Sequence, residues 1–164
     1  MAMQKRQNIP IETEAELKSL AFSYLARQEY SRSQLRERLV KRCENLALIE
    51  SVLGYLVEEG YQSDLRFAES YIRAKSDQGQ GAKKIAFDLG RKGISKSLIS
   101  ELLENRPDDP KQVALDYLKR KYGEVPPADM KEKAKRFRHM AGRGFGYDEI
   151  EYAFRYQNRD PDYD

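Results

Sequence analysis

The residue types that usually carry chemistry are scarce in this chain. His139 and Cys43 are the single histidine and the single cysteine in 164 residues, too few to build a zinc site of the usual ligand set. Cys43 admits no intramolecular disulfide and reads as a small core residue in a reducing compartment. His139, beside Met140 in a basic segment, reads as a partly exposed or core histidine rather than a base. Glu58 and Glu59 stand just before Gly60, a helix stop, with no apolar pocket to raise a carboxyl pKa, so general acid work has no support. Gly79 and Gly81, followed by Lys83 and Lys84, come nearest to a phosphate loop, but no Walker pattern follows and no strand precedes. The segment reads as a turn into a helix whose N-terminus, with its two lysines, suits a backbone phosphate. The inventory predicts a protein that works by binding, not an enzyme, with no cofactor and no metal.

The basic side chains are what remains to do that binding. Net charge is only +3, yet its sign alternates along the chain. Residues 27–43 hold six Lys/Arg against two acids, 71–96 seven against two, and 118–143 nine against three. The segments 44–70, 97–117 and 144–164 hold one base against six acids, two against five, and two against six. Units stacked in one orientation with this phase would present a basic side suited to polyanions. The candidate contacts to DNA or another polyanion are Arg32, Arg36, Arg38 and Arg42, then Arg73, Lys83, Lys84, Arg91 and Lys92, then Lys119, Lys121, Lys135, Arg136 and Arg143. Lys and Arg on phosphates read no bases, so binding is expected to tolerate any sequence. Neutralising about six phosphates would cost about three orders of magnitude in affinity between low and physiological salt. A sequence-specific helix-turn-helix reader is the sharper competitor, with Arg36, Arg38, Lys41 and Arg42 in its recognition helix. Asn and Gln are nearly absent from the basic helices, and no flanking arm is basic enough to reach a minor groove, which argues against it.

The elements that must position these side chains are helices. Ser31 with Gln34 three residues on reads as a capping box, and Asp109 before Pro110 puts an N-cap ahead of proline at the first helical position. Gly60, Gly93 and Gly123 sit where helices should stop. No stretch alternates like a strand, so the reading is all-α, with about nine helices of roughly ten to sixteen residues. A pattern of Ala, Tyr three residues on and then an aliphatic occurs at Ala21/Tyr24/Leu25, Ala68/Tyr71/Ile72 and Ala114/Tyr117/Leu118. A later element aligns Leu48, Val52, Leu53 and Leu56 with Ile94, Leu98, Ile99 and Leu102, and with Phe145, Glu149, Ile150 and Ala153. Middle helices carry Leu35 and Leu39, Ile85 and Leu89, and Phe137 and Met140. Three-helix units this small are marginal alone, so the expected architecture is a tandem array forming an elongated, curved body. Its parts are an N-terminal extension, partly disordered, at 1–16, repeats at 17–62, 63–107 and 108–159, and an acidic tail at 160–164 that includes Asp160, Asp162 and Asp164. No apolar run approaches the roughly 18 residues of a membrane span and residues 1–16 hold no signal-like segment, so a cytoplasmic protein is expected.

The repeats carry a resemblance. Leu56, Glu58, Gly60, Tyr61, Asp64, Arg66, Phe67, Ala68 and Tyr71 resemble the most recurrent stretch of RecX proteins. Gly79, Gly81, Lys84, Ile85, Leu89, Lys92, Gly93 and Ile94 are similar to a second stretch of that family. Tyr30, Ser31, Leu35, Arg36 and Leu39 agree in the first unit, and Tyr122, Gly123, Arg143, Gly144 and Phe145 in the third. Two positions depart from the pattern: Gln62 replaces an aliphatic, and Ala82 replaces a proline common at the helix start. The resemblance implies three three-helix repeats that bind RecA and its nucleoprotein filament, and a monomer is expected. It implies inhibition of RecA's ATPase, strand-exchange and co-protease activities, and so regulation of recombinational DNA repair and the SOS response. Weak, sequence-independent binding to single- and double-stranded DNA comes with it. The competing expectations are a non-specific DNA-binding helical module acting by competition for DNA, and a helical-repeat adaptor for some other partner.

Overall fold

The computed structural model describes residues 9–159, so residues 1–8 of the expected extension and the whole acidic tail lie outside the described residues. Among the described residues every regular element is a helix: α1 (Glu14–Leu25), α2 (Arg32–Val40), α3 (Leu46–Glu58), α4 (Asp64–Asp77), α5 (Ala82–Arg91), α6 (Lys96–Glu104), α7 (Pro110–Tyr122), α8 (Met130–Gly142) and α9 (Tyr147–Tyr156). They run from 9 to 14 residues, slightly shorter than expected.

Short side chains start most of these helices by accepting an otherwise unsatisfied backbone N–H. Thr13 accepts from Glu16, Asn45 from Leu48, Ser63 from Arg66, Ser95 from Leu98, Asp109 from Lys111 and Asp129 from Glu132. The box at α2 forms in both directions, with Ser31 Oγ accepting from Gln34 N–H and Gln34 Oε1 from Ser31 N–H, each at 3.1 Å. Pro110 opens α7, and the stops at Gly60, Gly93 and Gly123 fall just after α3, α5 and α7.

The chain divides into two compact units. One runs to Phe67 and also takes in Lys92–Ile94; the other comprises Ala68–Arg91 and the chain from Ser95 onward. In the first, α1, α2 and α3 enclose Leu17, Leu35, Leu39, Ile49, Leu53 and Leu56, all fully buried. Each such side chain contributes about 1.5–3 kcal/mol by leaving water. Ile11 and Cys43 join this core, with Ile11 N–H donating to the Arg42 carbonyl at 2.7 Å. Ser31 Oγ donates to the Lys92 carbonyl at 2.6 Å. Gly93, at φ +84°, lies so close to Ser33 that an added Cβ would stand 2.4 Å from the Ser33 Cβ. The departure at Gln62 is accommodated: its buried side chain donates to the Tyr30 carbonyl at 3.2 Å and to Asp64 Oδ1 at 2.9 Å.

In the second unit α5 packs on α6, and α7 and α8 pack on α9. Ala114, Leu115, Tyr117, Leu118, Met140, Phe145, Ile150 and Ala153 form one core. Ala68, Ile85, Leu89 and Ile99 are also buried.

Two expected registers need correction. The N-caps Asn45, Ser95 and Gly146 align Ile49 with Ile99 and Ile150, and Val52 with Leu102 and Ala153. The expected alignment through Leu53 is therefore one helical turn late in α3, a slip that keeps the same face and so leaves the apolar pattern almost unchanged. In α8 the buried pair is Arg136 and Met140, not Phe137 and Met140; Phe137 is half-buried. The i, i+4 spacing of Leu35/Leu39 and Ile85/Leu89 thus recurs, with an arginine in the first position.

Candidate nucleic-acid interface

The second helix of each three-helix domain buries only a pair of side chains at i, i+4, which leaves most of its circumference to water. That surface is basic. α2 carries three bases and one acid, α5 three and one, and α8 five and one. The third helix is acidic each time: α3 has two acids and no base, α6 two and one, α9 three and one. The charge alternation thus resolves into a basic middle helix beside an acidic third helix.

On α2, Arg32 and Arg36 lie one turn apart, and both reach across to Glu50 of α3, at 2.8 and 2.7 Å. Hydrogen bonds from Arg36 and then Arg32 hold the Glu50 carboxyl below the usual carboxylate range. All three side chains stay more than 40% exposed, so the pairing is open to solvent and to exchange for another anion. Arg38 is exposed and stacks its guanidinium 4.8 Å from the Tyr30 ring centre and 5.5 Å from that of Tyr24. Arg42 is half-buried, with an Nε that has no hydrogen-bond partner.

In the second unit two glycine turns interlock. Gly81 N–H donates to the Arg143 carbonyl at 2.8 Å and Lys83 N–H to the Gly144 carbonyl at 3.2 Å. The expectation that this helix start is open to a phosphate is therefore overturned, because backbone carbonyls already occupy two of its donors. A Cβ on Gly81 would lie 2.3 Å from the backbone of Gly144 and Phe145, and one on Gly144, at φ +95°, 2.5 Å from the Lys84 Cβ. Only glycine permits this approach. The joint gathers charge: Arg143 donates to the carbonyls of Gly79 and Gln78 at 3.1 and 2.7 Å, and Lys84 packs half-buried beside it.

Tyr117 is the hub beneath. It shares a 2.6 Å hydrogen bond with His139 Nε2, and the guanidiniums of Arg143 and Arg120 stand 5.1 and 5.6 Å from its ring centre. Burial first, then the charges of Lys121 and Arg143, press the His139 pKa below its ordinary value. His139 is half-buried, one of the two situations expected for it.

The other expected contacts are scattered. Lys83, Arg91, Lys121 and Lys135 are exposed, Lys119 is half-buried, and Lys92 is half-buried with its carbonyl taken by Ser31. Arg73 is exposed and lines a cavity of about 410 Å³ together with Glu69, Asp77, Arg106 and Asp108. Arg136 does not present itself at all: it is 5% exposed and bonded to the Val125 carbonyl at 2.8 Å and to Glu132. A core position defined by helix spacing overrides its charge.

Sequence reasoning passed over Arg106, whose side chain is 4% exposed in a two-pronged pair with Asp108 at 2.7 and 2.6 Å. It also passed over Phe87, which stands out on α5 two residues from each of the buried Ile85 and Leu89. That spacing was the available signal. Among the described residues no three His, Cys, Asp or Glu side chains gather as a metal site, and no helix is long and apolar enough to cross a membrane.

Comparison with known proteins adds three domain matches in order: RecX, first three-helix domain, over residues 18–56; the second over 63–103; and the third over 108–154. A regulatory protein RecX from Chromohalobacter salexigens is 40% identical over 133 residues, 81% of this chain and 87% of that one. One from Neisseria meningitidis is 39% identical over 140 residues, 85% and 90% of the two chains. The crystal structure of RecX from Lactobacillus salivarius shares the fold, with a TM-score of 0.75 at 20% identity, over 88% of this chain and 96% of that one.

Proposed function

The chain belongs to the RecX family of regulatory proteins, and from that membership we propose that it binds RecA and the RecA–DNA filament. There it inhibits the ATPase, strand-exchange and co-protease activities, restraining recombinational repair and the SOS response. The observation that carries this reading is the recurrence of a basic middle helix beside an acidic third helix in all three domains. A protein–DNA filament offers repeated phosphates next to repeated protein surface, and a repeated dipolar unit suits both. The contacts to the nucleic-acid side are the exposed Arg36, Arg38, Lys83, Arg91, Lys121 and Lys135, together with Arg32 and the partly buried Arg42, Lys84, Lys92, Lys119 and Arg143. Arg73 shares its cavity with Glu69 and Asp77 and contributes less, and Arg136 is structural. Contact with several protomers would block the rearrangements that ATP turnover needs. The protein acts as a monomer in the cytoplasm.

The test is single-strand-dependent ATP hydrolysis by RecA, with this protein titrated in at fixed salt and excess DNA. Inhibition well below equimolar protein that persists with excess DNA supports a filament-directed regulator. Inhibition that disappears as DNA is added identifies a competitor for DNA instead.

A further inference from the structure

Phosphate contact alone does not account for the outer face of α5. Ile85 and Leu89 are fully buried, and at about 100° per residue the opposite side of the helix carries Lys83, Phe87, Gly90 and Arg91, all exposed. Phe87 is 65% exposed, and of the six phenylalanines, all among the described residues, it alone stands in water. The Arg91 guanidinium lies 5.8 Å from its ring centre. The one carboxylate of the helix, Asp88, is off this stripe and faces Tyr71. Gly90 is next to Phe87 on the helix surface. Nothing lies within 4 Å of where its Cβ would be, and its φ is not positive. Neither packing nor backbone conformation calls for glycine there, and alanine is the better helix former.

We propose that Phe87 is a stacking platform for a base of single-stranded nucleic acid, with Lys83 and Arg91 on phosphates to either side and Gly90 leaving the helix flat where the base lies. Lys83 and Arg91 are about 12 Å apart along the axis, with the ring midway. A cationic stripe around an aromatic face matches an unstacked base and its flanking phosphates, whereas a paired base inside a duplex offers no free face. The charge complementarity selects nucleic acid over an apolar protein surface. The inference rests on the nucleic-acid contact in the proposed function and deepens it.

The chain has no tryptophan, so Phe87→Trp supplies a sole indole reporter. On titration with a dT oligonucleotide at low salt, its emission is expected to be quenched, and far less with a duplex of equal length. Phe87→Ala is expected to weaken oligonucleotide binding about tenfold at unchanged helicity. Gly90→Ala should raise the melting temperature while weakening binding. An indole whose emission is unchanged at saturating oligonucleotide, or parental affinity in Phe87→Ala, overturns the proposal. Should Phe87→Ala bind the oligonucleotide normally yet lose inhibition of RecA hydrolysis, the ring docks on protein; stacking falls and the regulator reading stands. Quenching in a protein that never inhibits RecA keeps stacking and removes the regulator reading.

Discussion

Arg136 Nη1 donates to the Val125 carbonyl at 2.8 Å, and the same guanidinium reaches Gln157 Oε1 at 3.5 Å. Gln157, fully buried, donates in turn to the carbonyls of Gly123 and Val125. An arginine at the position of Leu35 and Ile85 thus ties the turn after α7 to the end of α9. Arg136→Ala is expected to lose about 2–4 kcal/mol in urea denaturation, because it takes a donor from the Val125 carbonyl and the buried Gln157 Oε1 and empties a packed site. Its exposed neighbour is the control: Lys135→Ala should change stability by less than about 0.5 kcal/mol and register only in DNA affinity.

Glu50 occupies two guanidiniums that otherwise face water. Glu50→Gln removes the competing charge from Arg32 and Arg36 and is expected to tighten DNA binding, about three- to tenfold at low salt. The plot of log affinity against log salt should steepen by about one to two contacts' worth, at about 0.7 per contact on a single strand. Fluorescence anisotropy at four salt concentrations reads both. An unchanged slope would mean that α2 does not touch the phosphates.

The interlocked glycines make a stability prediction independent of function. Gly81→Ala drives a methyl into backbone that cannot give way, and is expected to cost about 2–3 kcal/mol. Gly142→Ala, where an added Cβ meets nothing within 4 Å, should be neutral or slightly stabilising, as alanine is the better helix former. Paired thermal melts decide it.

Acid should loosen the second unit through His139. Its folded pKa lies below the ordinary 6.5, so between the two values the unfolded chain holds more protons. This contribution is complete above the unfolded value and is lost as pH falls through the folded one. The melting temperature is expected to drop between about pH 7 and pH 5, and His139→Gln to remove part of that drop. A parallel curve for the variant would show that the histidine does not report on folding.

Much of this architecture is written in local chemistry. The Ser31–Gln34 box, the Asp109–Pro110 start and the glycine stops depend on residues a few positions apart, and each forms where the sequence places it. Contacts between distant residues are harder to read. Nothing near Gly81 announces that carbonyls more than sixty residues on will occupy its helix start. Charge misleads for a related reason: Arg136 looks like its exposed neighbours, and only its spacing from Met140 reveals that it faces inward. Phe87 is the converse, an apolar residue whose spacing from Ile85 and Leu89 turns it outward.

Lys92–Ile94 belong to the first compact unit although the helices on either side of them belong to the second, and Ser31 is hydrogen-bonded to that loan. An in-frame genetic deletion of the middle repeat would therefore not leave a shorter string of intact beads. It would deprive the Ser31 hydroxyl of its acceptor and remove the buried Ile94 with it. The middle repeat cannot be cut out at its own boundaries without opening the first compact unit.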